Sequence, residues 1–353
     1  MKSTETALLS EAAPMEASGA GSSGRVRELV QAAMTAAQDT ATRPIDRVEM
    51  LIELAMGLQA RPKTPDHLRA AIALYEKAAT ICPDDEPLLS ARLSARHATA
   101  LQALPDSGTQ YLEEARSRYE SAIPVLTRLG SAQEVAEAEM NLGLVLQYLA
   151  GSGRARITDA ISAYQRSLRT FDARSYPVEF VLLQNNLATA FLSVPITDER
   201  AKLREALAVQ CFEEGLKIVT LIDHPSEYAM LQNNLGNALQ YASSSHRLEN
   251  NLRALQAYDE ALRVRTRAST PVEYANTIAN KANCLWNLPD DPEHPDGGNR
   301  GNLIRAKALY EEAHEIFLGH GAGDKAQAVA GALEQLTSEI ADYGSHQAQV
   351  DGP

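Results

Sequence analysis

Six segments of the chain repeat one pattern: AAIALYEKAA, EARSRYESAI, AISAYQRSL, ALAVQCFEEGL, ALQAYDEAL and AKALYEEAH. Each centres on an aromatic: Tyr75, Tyr119, Tyr164, Phe212, Tyr258 and Tyr310. An Ala stands four residues before it in every case: Ala71, Ala115, Ala160, Ala208, Ala254 and Ala306. Three residues after it comes a small side chain: Ala78, Ala122, Ser167, Gly215, Ala261 and Ala313. Positions i−4, i and i+3 share one face of a helix, so each helix carries a large knob between two hollows that let a neighbour close in. Successive aromatics lie 44, 45, 48, 46 and 52 residues apart, a period that implies a stack of like units and not one central core.

A second helical pattern precedes each of these segments. Its starts fall near Ile45, Glu86, Gln133, Val178, Ser226 and Val272, and Pro177, Pro225 and Pro271 suit the first turn of a helix. EAEMNLGLVLQYL, LLQNNLATAFL, MLQNNLGNALQYA and TIANKANCLWNL align on the large residues Leu142, Leu187 and Leu235, each followed by a small one, Gly143, Ala188 and Gly236, with Ala282 as the small residue of the last. Each unit is therefore a helical hairpin, with a first helix A and a second helix B. The expected hairpins span about 45–82, 86–128, 132–172, 177–221, 225–268 and 271–318. A leading helix is expected over 25–40 and a capping helix, with a polar outer face, over about 323–343. Residues 1–24 read as a flexible N-terminal tail and 344–353 as a flexible C-terminal one.

Composition agrees with an all-α chain: aromatics make up only 5% of 353 residues, while hydrophobic residues reach 44%. The formal charge of −13 opposes binding to nucleic acid or to anionic lipid, because no basic stripe is available to displace counterions. No apolar run reaches the roughly 18 residues of a membrane span, and the N-terminus lacks the apolar core of a secretory signal; a cytoplasmic protein is expected. Cys82, Cys211 and Cys284 are odd in number and widely spaced, which suits reduced, packed thiols better than a disulfide framework or a zinc site.

The Leu–Gly pair on helix A and the Ala-x-x-x-aromatic pattern on helix B resemble the tetratricopeptide repeat over residues 45–318. That resemblance implies a right-handed α-solenoid of six hairpins plus terminal helices. The standard unit has about 34 residues, whereas these run to about 45; the extra length is expected in the turn from A to B, as in AGSGRARI, SVPITDERAKL, ASSSHRLENNL and LPDDPEHPDGGNRGNL. Extended units of this kind are most similar to those of kinesin light chain and of bacterial arrays associated with caspase-like CHAT proteases. Families of this type are interaction scaffolds that bind protein or peptide partners, and the resemblance implies no catalytic residue, cofactor or metal.

Asn141, Asn186, Asn234 and Asn280 stand one residue before the large position of helix A in four successive units; Arg96 stands there in the second. Asn has middling helix propensity and no apolar surface to bury, so its recurrence at one register asks for a cause. A carboxamide offers donors and an acceptor together, matching the groups of an extended peptide backbone, and in families that this pattern resembles such Asn residues face a concave groove that holds a peptide. The other reading is that these amides bond to the next repeat and set its twist. Asn233, Asn237 and Gln240 follow i, i+4, i+7 spacing, with Met230 at the N-terminal end of the stripe; Asn276, Ala279, Asn283 and Trp286 form its counterpart in the next unit. Trp286 is either an apolar anchor in that groove or a side chain buried beneath the following loop.

Other clusters carry less. The acidic stretch DDPEHPDGG at 290–298 fits no calcium-loop or zinc spacing, and GSGRAR at 151–156 lacks the Lys-Ser/Thr end of a phosphate loop. The eight His form no HExxH motif and no local pair with Cys or Ser. Two functions from different classes follow. One is a non-enzymatic adaptor that captures an extended segment of a partner protein; the other is an accessory subunit that clasps a folded enzyme or protease through its convex face or terminal helices.

Overall fold

The structure is a computed structural model, and it describes residues 20–105, 108–194, 200–242, 246–289 and 299–350. Among the described residues every regular element is an α-helix. They fall into two compact units, one within Met15–Pro195 and the other within Ile196–Pro353. The first holds α1 (Ala20–Ala36), α2 (Pro44–Ala60), α3 (Pro65–Ile81), α4 (Pro87–Gln102), α5 (Gln110–Leu129), α6 (Ala132–Gly151), α7 (Ile157–Ser167) and α8 (Pro177–Leu192). The second holds α9 (Arg200–Leu216), α10 (Pro225–Tyr241), α11 (Arg247–Leu262), α12 (Pro271–Trp286), α13 (Arg300–Gly319) and α14 (Gly323–Val350). Within each unit every helix from α2 onward packs on the next in sequence, and A helices touch the A helix of the following hairpin, which is the arrangement of an α-solenoid. Five hairpins lie whole within a unit: α2/α3, α4/α5, α6/α7, α10/α11 and α12/α13. The helices of the fourth hairpin expected from sequence, α8 and α9, belong to different units.

Pro at the first or second position opens α2, α3, α4, α8, α10 and α12, where its missing N–H costs nothing and its fixed φ suits the helix. At α6, Ser131 and Glu134 form a reciprocal capping box. The first helix begins at Ala20 and the last continues to Val350, each extending beyond the bounds read from sequence.

The core follows the six-fold pattern. All six aromatics and their flanking small residues on helix B are buried. The small residue on helix A receives the aromatic ring itself. A Cβ on Gly143 would lie 2.5 Å from Cε1 of Tyr164, and one on Gly236 would lie 2.5 Å from Cε1 of Tyr258, far inside van der Waals contact. Each glycine therefore gives up helix propensity to let a ring sit against bare backbone. A further core position lies seven residues after the aromatic and is filled by Leu126, Phe171, Val219, Arg265 and Phe317.

Three of those residues sit in the connectors from B to the next A, Leu168–Tyr176, Lys217–His224 and Arg263–Thr270. The extra length of the repeat is therefore shared with these connectors and does not lie in the A–B turns alone, as the sequence suggested. Short polar side chains hold the connectors in shape: Asp172 Oδ1 accepts from the N–H groups of Arg174 and Ser175, and Thr220 Oγ1 from those of Ile222 and Asp223. The turn from α6 to α7 is the short stretch 152–156, whereas residues 195–199, 243–245 and 290–298 of the later expected A–B turns, the acidic stretch among them, lie outside the described residues.

His97 breaks the leucine pattern. It stands where Leu142, Leu187 and Leu235 stand in later hairpins, is 1% exposed, stacks on Tyr75 at 5.9 Å between ring centroids, and its Nε2 has no hydrogen-bond partner among the described residues. Burial, aided by the charge of Arg118, pushes its pKa down to about 4.

Two outcomes check this core. Tyr164→Ala should cost about 3 to 5 kcal/mol of unfolding free energy, and an unchanged denaturant midpoint would mean that its face is not the core. For His97 the folded form stays neutral while the unfolded form takes a proton below its ordinary pKa of 6.5. Its contribution to stability is thus intact above that value and falls as pH drops through the window from 6.5 to 4, by an amount on the order of 3 kcal/mol. His97→Leu should remove this part of the acid sensitivity, seen as a stability gap over wild type that widens between pH 7 and pH 4.

Candidate functional site

The inner face of the A helices repeats with the core. Counted from the large residue, positions five before, one before, two after and five after fall on one stripe. In the first unit these positions meet in a groove of about 380 Å³ crossing α2, α4 and α6. Met56 and Gln59 come from α2, Arg92, Arg96 and Thr99 from α4, and Glu137 and Asn141 from α6, over a floor that includes Tyr75 and Tyr119.

The charges in this groove are unequally satisfied. Arg92 donates to Glu134 from Nε at 2.6 Å and from Nη2 at 3.3 Å, bridging α4 to α6. That guanidinium, with the backbone N–H of Ser131, holds the Glu134 carboxyl down to about 2. Arg96 is exposed, rests its Nη1 against Met56 Sδ, and forms no ion pair among the described residues. Among the described residues Glu137 accepts from the Gln133 amide alone, at 3.2 Å. Asn141 is half-buried at the groove wall, with no hydrogen-bond partner for its amide among the described residues. Asn186, on α8 of the same unit, lies outside the groove lining and accepts from Asn185 Nδ2 at 3.3 Å.

In the second unit the amides are turned on one another. Asn233 is 4% exposed; its Nδ2 donates to Asn234 Oδ1 at 3.1 Å, and its Oδ1 accepts from Asn280 Nδ2 at 3.2 Å, joining α10 to α12. The Tyr258 hydroxyl lies 2.8 Å from Asn237 Oδ1 and 2.9 Å from Gln240 Oε1. One hydroxyl hydrogen serves one acceptor at a time. Turning the Gln240 amide lets its Nε2, otherwise without a partner among the described residues, donate to the hydroxyl while the hydroxyl donates to Asn237. Asn283 Nδ2 donates to the Tyr241 hydroxyl at 2.5 Å and its Oδ1 accepts from Asn287. Met230 is half-buried at the head of the stripe. Trp286 is half-buried: its Nε1 donates to Glu339 Oε2 of α14 at 2.7 Å, and its ring meets Tyr310 edge-on at 6.5 Å, while the loop beneath which it was expected to lie is outside the described residues.

A set of bonds that sequence reading missed ties helix B to this stripe. Tyr75 donates to Gln59 Oε1, Tyr164 to Gln147 Oε1, and the Tyr119 hydroxyl pairs with Thr99 Oγ1. Gln147 Nε2 continues to Thr189 of the next A helix at 3.1 Å. The clue was present: Gln59, Gln102, Gln147 and Gln240 stand at one position of helix A in four units whose helix B carries Tyr, the fourth unit, with Phe212, has Leu192 there, and the sixth, with Tyr310, has Trp286. Burial raises the thiol of Cys211 to about 11 and that of Cys284 to about 12, so neither is a ready nucleophile.

No protein-family model and no curated protein matches the chain. Among solved structures it is similar to a Rap protein, described in complex with competence and sporulation factor, at 12% identity and a TM-score of 0.39, covering 93% of this chain and 89% of that one. Among the described residues no helix is long and apolar enough to cross a membrane.

The two units should respond differently to loss of an amide. Asn233→Ala strands partners on Asn234 and Asn280 and should cost about 1 to 3 kcal/mol, whereas Asn141→Ala should change stability by no more than about 0.5 kcal/mol. Urea denaturation of both variants decides this, and equal losses would contradict the division.

Proposed function

We propose that the chain is a non-enzymatic, cytoplasmic interaction scaffold whose inner A-helix face captures an extended segment of a partner protein. The observation that carries this reading is the groove across α2, α4 and α6, where Arg96 and Asn141 line the opening with hydrogen-bonding capacity unspent among the described residues. Asn141 can meet a backbone C=O and N–H at once, and Arg96 can meet a carboxylate. Asn186 can extend the track along the same unit; in the second unit, taken by itself, Asn234, Asn237 and Met230 offer a weaker surface, since much of the amide capacity there is already used.

The alternative, an accessory subunit that clasps a folded partner through its outer face, is favoured by a different observation. Leu248 and Leu252 lie one turn apart on α11 and remain 47% and 36% exposed, and Ile304 on α13 is 50% exposed. Selection of short linear peptides displayed on phage separates the two. Groove capture expects enriched peptides that bind the Arg96→Ala/Asn141→Ala variant roughly 10- to 100-fold more weakly, as the loss of two or three hydrogen bonds requires, with an unchanged melting temperature. Failure to enrich any linear peptide, or equal binding by the variant, would overturn it in favour of the outer face.

A further inference from the structure

Three successive A helices of the first unit carry different groups at one register: Glu53 on α2, Arg96 on α4 and Asn141 on α6, the last with Glu137 one turn earlier. Glu53 precedes Met56, which lines the groove, by three residues and so shares its face; Glu49, another turn back, adds the same sign. Among the described residues the ion pair across the groove joins Arg92 to Glu134, which removes both from the balance. What remains is Arg96 and Glu137 in the groove lining and Glu53 beside it, on the face of α2 that carries Met56, with no ion pair on any of the three among the described residues.

Neighbouring A helices pack at about 8–10 Å, and an extended chain advances about 3.3 Å per residue. Crossing from one A helix to the next therefore takes about three residues. We infer that the groove selects an extended segment with alternating charge, a Lys or Arg, then an Asp or Glu three residues on, then a Lys or Arg three residues beyond that. The acidic side chain sits on Arg96, the outer basic ones face Glu53 and Glu137, and Asn141 holds the backbone between them. This rests on the proposed capture of an extended segment and adds its chemistry. A uniformly acidic partner would leave Glu53 and Glu137 facing like charge, and a uniformly basic one would meet Arg96.

The test uses the full-length protein and three fluorescein-labelled synthetic peptides in an Ala/Ser background: Lys-x-x-Glu-x-x-Lys, its charge reversal Glu-x-x-Lys-x-x-Glu, and a scramble of the first. Fluorescence anisotropy should show the first binding at least tenfold more tightly than the other two, with the gap narrowing at high salt. Arg96→Glu should abolish that preference, and the triple exchange Glu53→Arg/Arg96→Glu/Glu137→Arg should transfer it to the reversed peptide, both variants keeping the wild-type melting temperature. Equal binding of all three peptides, or a preference that Arg96→Glu leaves unchanged, overturns the charge pattern. If in that case linear peptides selected by phage display still lose affinity with Asn141→Ala, extended-segment capture stands without it; if those peptides do not bind either, both readings fail.

Discussion

The seating of an aromatic ring of helix B against a glycine of helix A, in the α6/α7 and α10/α11 hairpins, is the contact on which the rest of the structure depends. Tyr164 over Gly143 and Tyr258 over Gly236 bring a ring to within a distance that a single methyl group would block. Closeness at that point fixes where the two helices cross. It therefore also fixes which residues of helix A turn away from helix B and form the inner face. A buried tyrosine must place its hydroxyl somewhere, since an unsatisfied buried donor is expensive, and the nearest acceptors are the Gln, Thr and Asn side chains that border the inner face. Core and candidate binding surface are thus connected through single hydroxyl groups.

From this follows a division of labour between the two units, each considered by itself. The second unit spends its inner-face amides internally, with Asn280 bonded to Asn233 and Asn283 to Tyr241, so its A helices are tied to each other by side-chain hydrogen bonds. In the first unit the tie between A helices is made by other groups, the Arg92–Glu134 pair and the Gln147–Thr189 bond. That frees Arg96 and Asn141 to face the groove. An Asn at one register therefore has two different roles, decided by whether an acceptor on the adjacent hairpin is within reach.

Much of this was legible in the sequence because it is periodic. The Ala-x-x-x-aromatic-x-x-small pattern identified the buried face of every B helix, and the Leu–Gly or Leu–Ala pair identified that of the A helices, since both express steric demands that recur in each unit. The glycine was recognisable as a packing residue, although the ring that occupies its place was not. What escaped the sequence depends on contacts between distant segments. Trp286 meets Glu339 across 53 residues, and no local pattern marks that pairing. Arg265 sits in the same buried position as Phe171 and Val219 because Thr277 accepts from it, which its charge alone would argue against. The partners of the four Asn residues likewise depend on the spacing between hairpins, a quantity that the repeat length does not encode.

The central claim is that the inner face is open in the first unit and internally bonded in the second. Side-chain amide resonances report on it directly, because hydrogen bonding moves the Nδ2–H₂ signals of asparagine. On titration with a phage-selected linear peptide, the Asn141 amide and the Arg96 Nε–H should shift in proportion to occupancy while those of Asn233 and Asn280 stay in place. Shifts at Asn233 and Asn280 with Asn141 unmoved would contradict the account.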